Sequence, residues 1–410
     1  MIGVHSGKYH AERVTERIRD ASIRLGAEHP IVNDRQFRVW RSYAVSAWPT
    51  LVMIDPEGYV VGAGAGEFTT ESLAPFIDSL ISAAESKGTL ERGAMTIVPD
   101  LPIIAPERLR YPGKVTVDGS RIAIADSSNH RVLIGTLSPD GQSMKVERTI
   151  GTGKRGFDNG LSASFDSPQG LVFSSGTLYV ADAGNHAVRA IDVGSGKVST
   201  VAGTGRQLRT RADLENGALS SPWDLAVKDE KLFIAMAGIH QVWSLDLTSG
   251  RLRIHAGAGG EDIRDGRNRD ALLAQPMGIT SAGDRLYFAD AESSAIRSCD
   301  VDENGETQTV LGTGLFDFGD VDGTGDEIRM QHQQGLDFSG DGELVVADSY
   351  NDALKRVDTA TRSATSWVKG LHEPSGVACG ADYAYVADTN AHRIASVSYS
   401  TGKTGTLTLE

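Results

Sequence analysis

The stretch Val180-Ala-Asp-Ala-Gly-Asn-His-Ala-Val-Arg189 decides the fold, because close variants of it recur along the chain to the C-terminus. Each copy joins an apolar run to a second apolar run through a short polar turn. Such self-similarity predicts stacked supersecondary units. The residues at the position of Asp182 in the six copies are Asp126, Asp182, Met236, Asp290, Asp348 and Asp388.

A second landmark lies 14 residues before each of these positions: Pro112, Pro168, Pro222, Pro276, Gln334 and Pro374. An apolar run, a turn and a second apolar run follow each landmark, and the copy around Asp182 continues with predicted strands Ala187 to Val193 and Lys197 to Ala202. Four short strands repeated six times predict a mainly β chain with a six-bladed β-propeller at residues 112–410.

The repeats resemble NHL repeats in three places. These are Pro-x-Gly-Leu at the first strand, Val-Ala-Asp-x-x-Asn-His-x-Val-Arg across the second and third strands, and Gly-Thr-Gly after the fourth strand. In a propeller, the loops that enter the first strands and join the second to the third emerge on one face. We therefore expect any functional site on this loop face.

Residues 1–86 predict a separate α/β domain with the order β-α-β-α-β-β-α. Predicted helices run from Tyr9 to Leu25 and from Arg35 to Tyr43, and Thr69 or Thr70 caps a third. This order, with Ala47-Trp-Pro-Thr50 before a buried strand, resembles the C-terminal portion of a thioredoxin-fold domain. The resemblance implies a cis bond at Pro49 and a peptide-binding loop at Trp48, Pro49 and Thr50.

The strand and the Cys-x-x-Cys helix that begin a thioredoxin fold have no counterpart in these residues. We therefore expect a truncated or alternatively started form of a longer protein, which cannot reduce disulfides without a thiolate. The NHL-repeat proteins that carry a thioredoxin domain before the propeller imply a redox-linked role. Residues 87–111 contain Pro99, Pro102 and Pro106 and are predicted as a linker.

The composition favours a protein partner over nucleic acid or a membrane. The net charge is −14, from 40 Lys+Arg against 54 Asp+Glu, which disfavours anionic surfaces. Cys299 and Cys379 are the two cysteines, they form no Cys-x-x-Cys, and both are predicted as small buried hydrophobes. The sequence shows neither a long apolar run nor a signal peptide, so we expect a cytoplasmic protein without a cofactor.

The repeated Asp and His residues have a structural and a functional interpretation. Met236 shows that one blade lacks the Asp, which favours a turn former over a ring of metal ligands. Ser294 and Asp352 interrupt the His positions, which favours histidines bonded to neighbouring loops over a zinc site. A metal-dependent hydrolase or lyase at the loop face is the alternative function. The candidate histidines are His130, His186, His240 and His392.

The loops between the blades carry the remaining signals. Gly151-Thr-Gly153 and its counterparts lack the context of a phosphate loop, so they are predicted as turns. The run from Asp320 to Glu327 departs from calcium-loop spacing and is predicted as a solvated acidic loop. Arg206 and Arg209 make another loop basic, and this separation of charge suits a protein or peptide partner. We predict a non-catalytic interaction scaffold.

Overall fold

The computed structural model describes residues 1–93 and 108–410, and the chain divides into two compact units, Met1–Ile103 and Ile104–Glu410. Most of the predicted linker, residues 87–111, lies outside the described residues. At its described ends, Lys87 is the last residue of a helix and Tyr111 is buried in the second unit.

The first unit has the predicted order of strands and helices. Strands β1 and β2 pair in parallel, and β3 and β4 form an antiparallel hairpin that is a separate two-stranded sheet. The elements are β1 (Gly3–His5), α1 (Thr15–Leu25), β2 (Ile31–Asn33), α2 (Arg38–Ser42), β3 (Thr50–Ile54), β4 (Val60–Ala65) and α3 (Thr70–Lys87).

Two helices begin later in the chain than predicted. The Asp34 carboxylate accepts the backbone N–H groups of Arg38, Val39 and Trp40, so α2 begins three residues later than predicted. Residues 11–13 form a 3-10 turn, and α1 begins only at Thr15. Thr69 caps α3 as predicted and shares a capping box with Ser72.

The second unit is a six-bladed β-propeller, as predicted. Each blade is an antiparallel sheet of four strands, and a 3-10 turn joins the second strand to the third. Blade 1 contains β5 (Val115–Asp118), β6 (Arg121–Asp126), β7 (Arg131–Leu137) and β8 (Ser143–Ile150), and blade 2 contains β9 (Pro168–Ser174), β10 (Thr177–Asp182), β11 (Ala187–Asp192) and β12 (Val198–Ala202). Blade 3 contains β13 (Pro222–Lys228), β14 (Lys231–Met236), β15 (Gln241–Asp246) and β16 (Leu252–Ala256), and blade 4 contains β18 (Pro276–Ala282), β19 (Arg285–Asp290), β20 (Ala295–Asp300) and β21 (Glu306–Leu311). Blade 5 contains β23 (Gly335–Phe338), β24 (Leu344–Asp348), β25 (Ala353–Asp358) and β26 (Ser363–Lys369), and blade 6 contains β27 (Pro374–Cys379), β28 (Tyr383–Asp388), β29 (Arg393–Ser398) and β30 (Thr404–Thr406).

Connecting segments add strands to some outer edges. The segment that enters blade 4 contributes β17 (Gly266–Arg267), and the one that enters blade 5 contributes β22 (Gly323–Thr324). The segment that enters blade 3 instead contains α4 (Arg211–Glu215). The C-terminal strand β31 (Thr408–Leu409) pairs in parallel with β8 of blade 1, so it joins the last blade to the first.

The core lies between the faces of adjacent blades. Between blades 1 and 2, for example, Ile134 packs with Phe165 and Leu178, and all three are almost fully buried. The apolar alternation of each strand therefore contributes to two interfaces, one with each neighbouring blade.

One landmark was misaligned by a residue. The pairing of Gly335 with Ala347 makes the hairpin of blade 5 one residue longer than the hairpin of blade 4, in which Gly278 pairs with Ala289. Gln333, and not Gln334, therefore occupies the position of the landmark prolines.

Candidate functional site

The repeated Asp organises its own blade. In blade 2, Asp182 Oδ1 accepts the N–H of Asp166, while Oδ2 accepts from Asn185 and lies 2.8 Å from Arg189 Nη1. Asp182 and Arg189 are both fully buried. The prediction that the Asp is a turn former is confirmed, and the structure adds a buried cation that joins this turn to the third strand.

The same cation holds the connecting segment. Arg189 Nη2 donates to the carbonyl of Asp158 and the side chain of Asn159. In blade 4, Arg297 lies 3.3 Å from Asp290 and 3.1 Å from Asp265 of the segment that enters that blade. Each buried guanidinium therefore bonds both to the turn of its own blade and to the connecting segment.

In blade 3, apolar side chains replace both the repeated Asp and its buried arginine. Met236 and Trp243 stand where blade 2 has Asp182 and Arg189, and both are buried. Trp243 Nε1 donates to Gln241 Oε1 at 2.8 Å, so its one polar atom is satisfied. Met236 thus marks a coordinated exchange of polar for apolar contacts.

The candidate histidines bind across the junctions between blades. His186 Nδ1 accepts the backbone N–H of Ser221, the residue before the landmark Pro222 of blade 3. His130, His240 and His392 make the same bond at other junctions, at 3.1–3.2 Å. The predicted structural interpretation is confirmed, because each histidine serves a different junction.

The two blades without this histidine make the same connection with other atoms. Ser294 Oγ accepts the N–H of His332, and Asp352 Oδ1 accepts the N–H of Glu373. All six blades therefore carry an inter-blade hydrogen bond at this position. The ring is chemically continuous, although the sequence suggested an interruption.

These bonds predict that the propeller loses stability on acidification. Burial lowers the pKa of His130, His240 and His392 from the usual 6.5. The neutral histidines stabilise the folded propeller fully above the pKa of about 6.5 that they have in the unfolded chain. This stabilisation is lost as the pH falls through their lower pKa in the folded protein. We expect the free energy of unfolding to fall by about 1 kcal/mol per histidine between about pH 7 and pH 5, measured by urea denaturation.

His240→Ser provides the specific test, because Ser294 makes the corresponding bond without a titratable group. The variant is expected to have a smaller dependence of stability on pH than the parent. His372→Ser is the matched control, since His372 is exposed. An unchanged pH dependence in His240→Ser would contradict the assignment.

The axis of the propeller is closed by glycines and one ion pair. A methyl carbon at Gly335 would lie 2.8 Å from the Cα of Gly376, so the first strands meet too closely for side chains there. Two blades depart from glycine at this position, with Lys114 and Asp224. Lys114 Nζ lies 3.3 Å from Asp224 Oδ2 and donates to the carbonyls of Met277, at 3.0 Å, and of Gln334.

A cavity of about 200 Å³ lies next to this ion pair and is lined by the first strands of the blades. Thr280 Oγ1 donates to Asp337 Oδ1 at 3.1 Å in its wall. Burial, with a smaller contribution from the Asp224 charge, raises the pKa of Asp337 to about 6. None of the histidines or arginines predicted as site residues lines this cavity.

The variable loops carry opposite charges, as predicted. Arg209 Nη2 donates to Gln207 Oε1, and Arg211 is largely exposed beside Glu215. The acidic segment is more ordered than predicted. Asp320 and Asp322 each lie 2.7 Å from the buried Lys355 Nζ, so they are ion-pair partners rather than solvated carboxylates.

The Gly-x-Gly segments are turns, as predicted. Gly203 follows β12 with a φ of 91°, and a side chain there would collide with the carbonyl of His186. Gly151, Gly257 and Gly312 also have positive φ. Glycine is therefore required where the chain leaves these four outer strands.

The predicted loop at Trp48 has the cis Trp48–Pro49 bond that the resemblance implies. Trp48 Nε1 donates to the carbonyl of Ser6 at 2.7 Å, and its ring centroid lies 4.5 Å from that of Trp40. Half of Trp48 is exposed, and Thr50 Oγ1 donates to the carbonyl of Ala47. This part of the first unit presents an aromatic surface to solvent.

The described residues offer few reactive groups. No group of three His, Cys, Asp or Glu that could hold a metal occurs in residues 1–93 and 108–410. Cys299 is buried as predicted, and burial raises the pKa of its thiol to about 12; Cys379 is partly buried. Among the same residues, no helix is long and apolar enough to cross a membrane.

Sequence reasoning missed Lys114 and Asp224. The available signal was their departure from glycine two residues after the landmarks Pro112 and Pro222, which becomes visible only when the six copies are aligned. Their partnership across the axis requires the closed ring.

The comparisons with known proteins agree with this geometry. Residues 165–191 match the family model described as NHL repeat. A crystal structure titled Nidogen/Laminin Complex superposes with a TM-score of 0.51 at 14% identity, covering 69% of this chain and 91% of that one, which shows the fold alone. The fold is a six-bladed β-propeller, and one of its repeats matches the NHL-repeat model.

Among individual proteins, the chain is similar to NHL repeat-containing protein 2 of Bos taurus, with 35% identity over 96% of this chain and 61% of that protein. Protein SUPPRESSOR OF QUENCHING 1, chloroplastic, of Arabidopsis thaliana is 33% identical over 100% of this chain and 42% of its own length. The chain therefore spans less than two thirds of the length of either relative.

Proposed function

We propose that the protein is a non-catalytic scaffold whose propeller binds a protein or peptide on its loop face. The observation that carries this proposal is the use of the repeated polar residues within the fold. Asp182 and Arg189 support one blade, and His186 joins two. The loops that vary between blades, including Arg206 and Arg209, are left to provide specificity.

We propose in addition that the first unit is thioredoxin-like and gives the scaffold a redox-linked role. The order of its elements and the exposed Trp48 beside Pro49 support a surface for extended peptides. We place the protein in the cytoplasm, although the name of the Arabidopsis relative assigns that protein to the chloroplast.

The scaffold proposal predicts partner binding without turnover. Reversing the charge of the basic loop with Arg206→Glu/Arg209→Glu is expected to weaken binding of protein partners from an extract of the source cells by about tenfold. Quantitative affinity mass spectrometry measures this loss, with Lys197→Glu, at the exposed residue before β12, as the control. Insulin reduction by this chain alone, or stoichiometric zinc that is lost in His240→Ala, would instead support an enzyme.

A further inference from the structure

The fourth strand of blade 3, β16, has an open outer edge. In blades 1, 2, 4 and 5, another segment of the chain pairs with the outer side of the fourth strand or accepts a backbone hydrogen bond from it, at the position that corresponds to Leu252. At this position Leu252 of β16 pairs inward with Leu245, and β16 is the last strand of its sheet. The covered positions and their partners are Val146 with Glu410, Val198 with Gly160, Thr307 with Gly266 and Ala364 with Gly323.

The reason for the open edge is the altered network of blade 3. In blade 4, Asp265 of the covering segment bonds to both Arg297 of the third strand and Thr309 of the fourth. In blade 3, Trp243 and Ile254 occupy the positions of that arginine and that threonine. Ile254 has no polar side-chain atom, and the Trp243 indole N–H already donates to Gln241, so an acid of a covering segment has no donor to hold it.

The connecting segment that enters blade 3 takes a different course. It forms α4, which Thr210 caps through a box with Asp213, and the described backbone makes no strand pairing between it and β16. The outer N–H and C=O groups at Leu252 are therefore available to another strand, as edge strands are in general.

We propose that β16 receives an extended acidic segment of a protein partner by strand addition. Arg251 and Arg253 flank Leu252, and Arg269 lies close enough to share Glu303 with Arg253. Arg251 acts on the neighbouring Asp246, so these three arginines face two carboxylates and leave net positive charge along the edge. Leu252 and Ile254 alternate with the arginines and are half-buried, which gives the added strand an apolar side as well.

The observations favour this occupant over a second copy of the chain. Two β16 strands would place the arginines of each copy beside those of the other, which is unfavourable. The open edge of blade 6 is shorter, with the residues Thr404, Gly405 and Thr406, and has no apolar side chain in the strand. The inference rests on the proposed scaffold function and locates a second surface for it, on a strand edge rather than on the loops between the blades.

The probe is a synthetic peptide with the sequence of residues 317–325, Asp-Phe-Gly-Asp-Val-Asp-Gly-Thr-Gly. This segment is acidic and supplies the strand that covers blade 5. We expect saturating peptide to slow amide hydrogen exchange at Leu252 of the full chain by about tenfold or more. Lysine in place of the three aspartates is expected to abolish the protection.

Two variants separate strand addition from a general loss of folding. Leu252→Pro removes the outward N–H, a change that edge strands tolerate, and is expected to abolish peptide binding. Arg253→Glu keeps the backbone and is expected to weaken binding by about tenfold. Thr404→Pro, at the same position of blade 6, is the matched control and should bind the peptide like the parent.

Unchanged exchange at Leu252 with millimolar peptide, or equal binding by Leu252→Pro, would overturn the proposal. Protection of Leu252 that appears without peptide as the protein is concentrated would assign the edge to a second copy and also overturn it. Either result leaves the scaffold proposal intact if Arg206→Glu/Arg209→Glu still loses its partners, so the two failures are distinguishable.

Discussion

Asp182→Met is expected to lower the free energy of unfolding of the propeller by about 3–5 kcal/mol. The substitution leaves the Arg189 guanidinium fully buried without its carboxylate, although the Ser164 and Asp158 carbonyls remain as acceptors. Urea denaturation followed by tryptophan fluorescence measures the loss. The size of the effect comes from the uncompensated buried charge rather than from a lost attraction.

Blade 3 predicts how this loss can be reversed. Its Met236 and Trp243 show that the same turn and strand accept an apolar pair. Asp182→Met/Arg189→Met should therefore recover at least half of the stability that the single change removes. Equal losses in the single and double variants would contradict this explanation. Arg211→Met, which breaks an exposed pair with Glu215, is the control and should cost about 0–0.5 kcal/mol.

The six blades could be predicted from the sequence because the spacing of Asp182 and its counterparts is a local signal. The prediction of Gln334 as a landmark shows the limit of this local signal. One extra hairpin residue in blade 5 moves the landmark to Gln333 without changing the fold. The inter-blade bonds show another limit. Ser294 and Asp352 differ from histidine in type, but their oxygens accept the same kind of N–H.

The contacts that the sequence could not provide depend on closure of the ring. In blades 2, 4 and 5 the segment that enters the blade folds over the outer strand of that blade, so an acid such as Asp322 meets Ser366 and Lys355 only after the blade has formed. For this reason a segment that was predicted as solvated is held by a buried lysine. The open edge of β16 likewise cannot be recognised from the sequence, because it is defined by comparison with the covered fourth strands of other blades.

Lys114→Met is expected to destabilise the propeller by about 3–5 kcal/mol, because it leaves a buried carboxylate unpaired at the axis. In the parent, Asp224 also accepts the N–H groups of Leu225 and Ile279, but the Lys114 ammonium is its counter-charge. Burial already raises the pKa of Asp224 in the parent, and loss of the Lys114 charge raises it further. The variant should therefore lose more stability at pH 8 than at pH 5, measured by urea denaturation.

The double variant Lys114→Met/Asp224→Leu distinguishes the charge from the packing at the axis. Both charged groups are then absent, so the pH dependence of the single variant should disappear and part of the stability should return. Lys197→Met, on an exposed strand end, is the control for loss of a lysine and should change stability by less than about 0.5 kcal/mol. A single variant as stable as the parent would show that the glycine ring closes the axis without its ion pair. The predicted order of stability, parent above double variant above Lys114→Met, follows because a buried charge costs more alone than a buried pair or an apolar substitute.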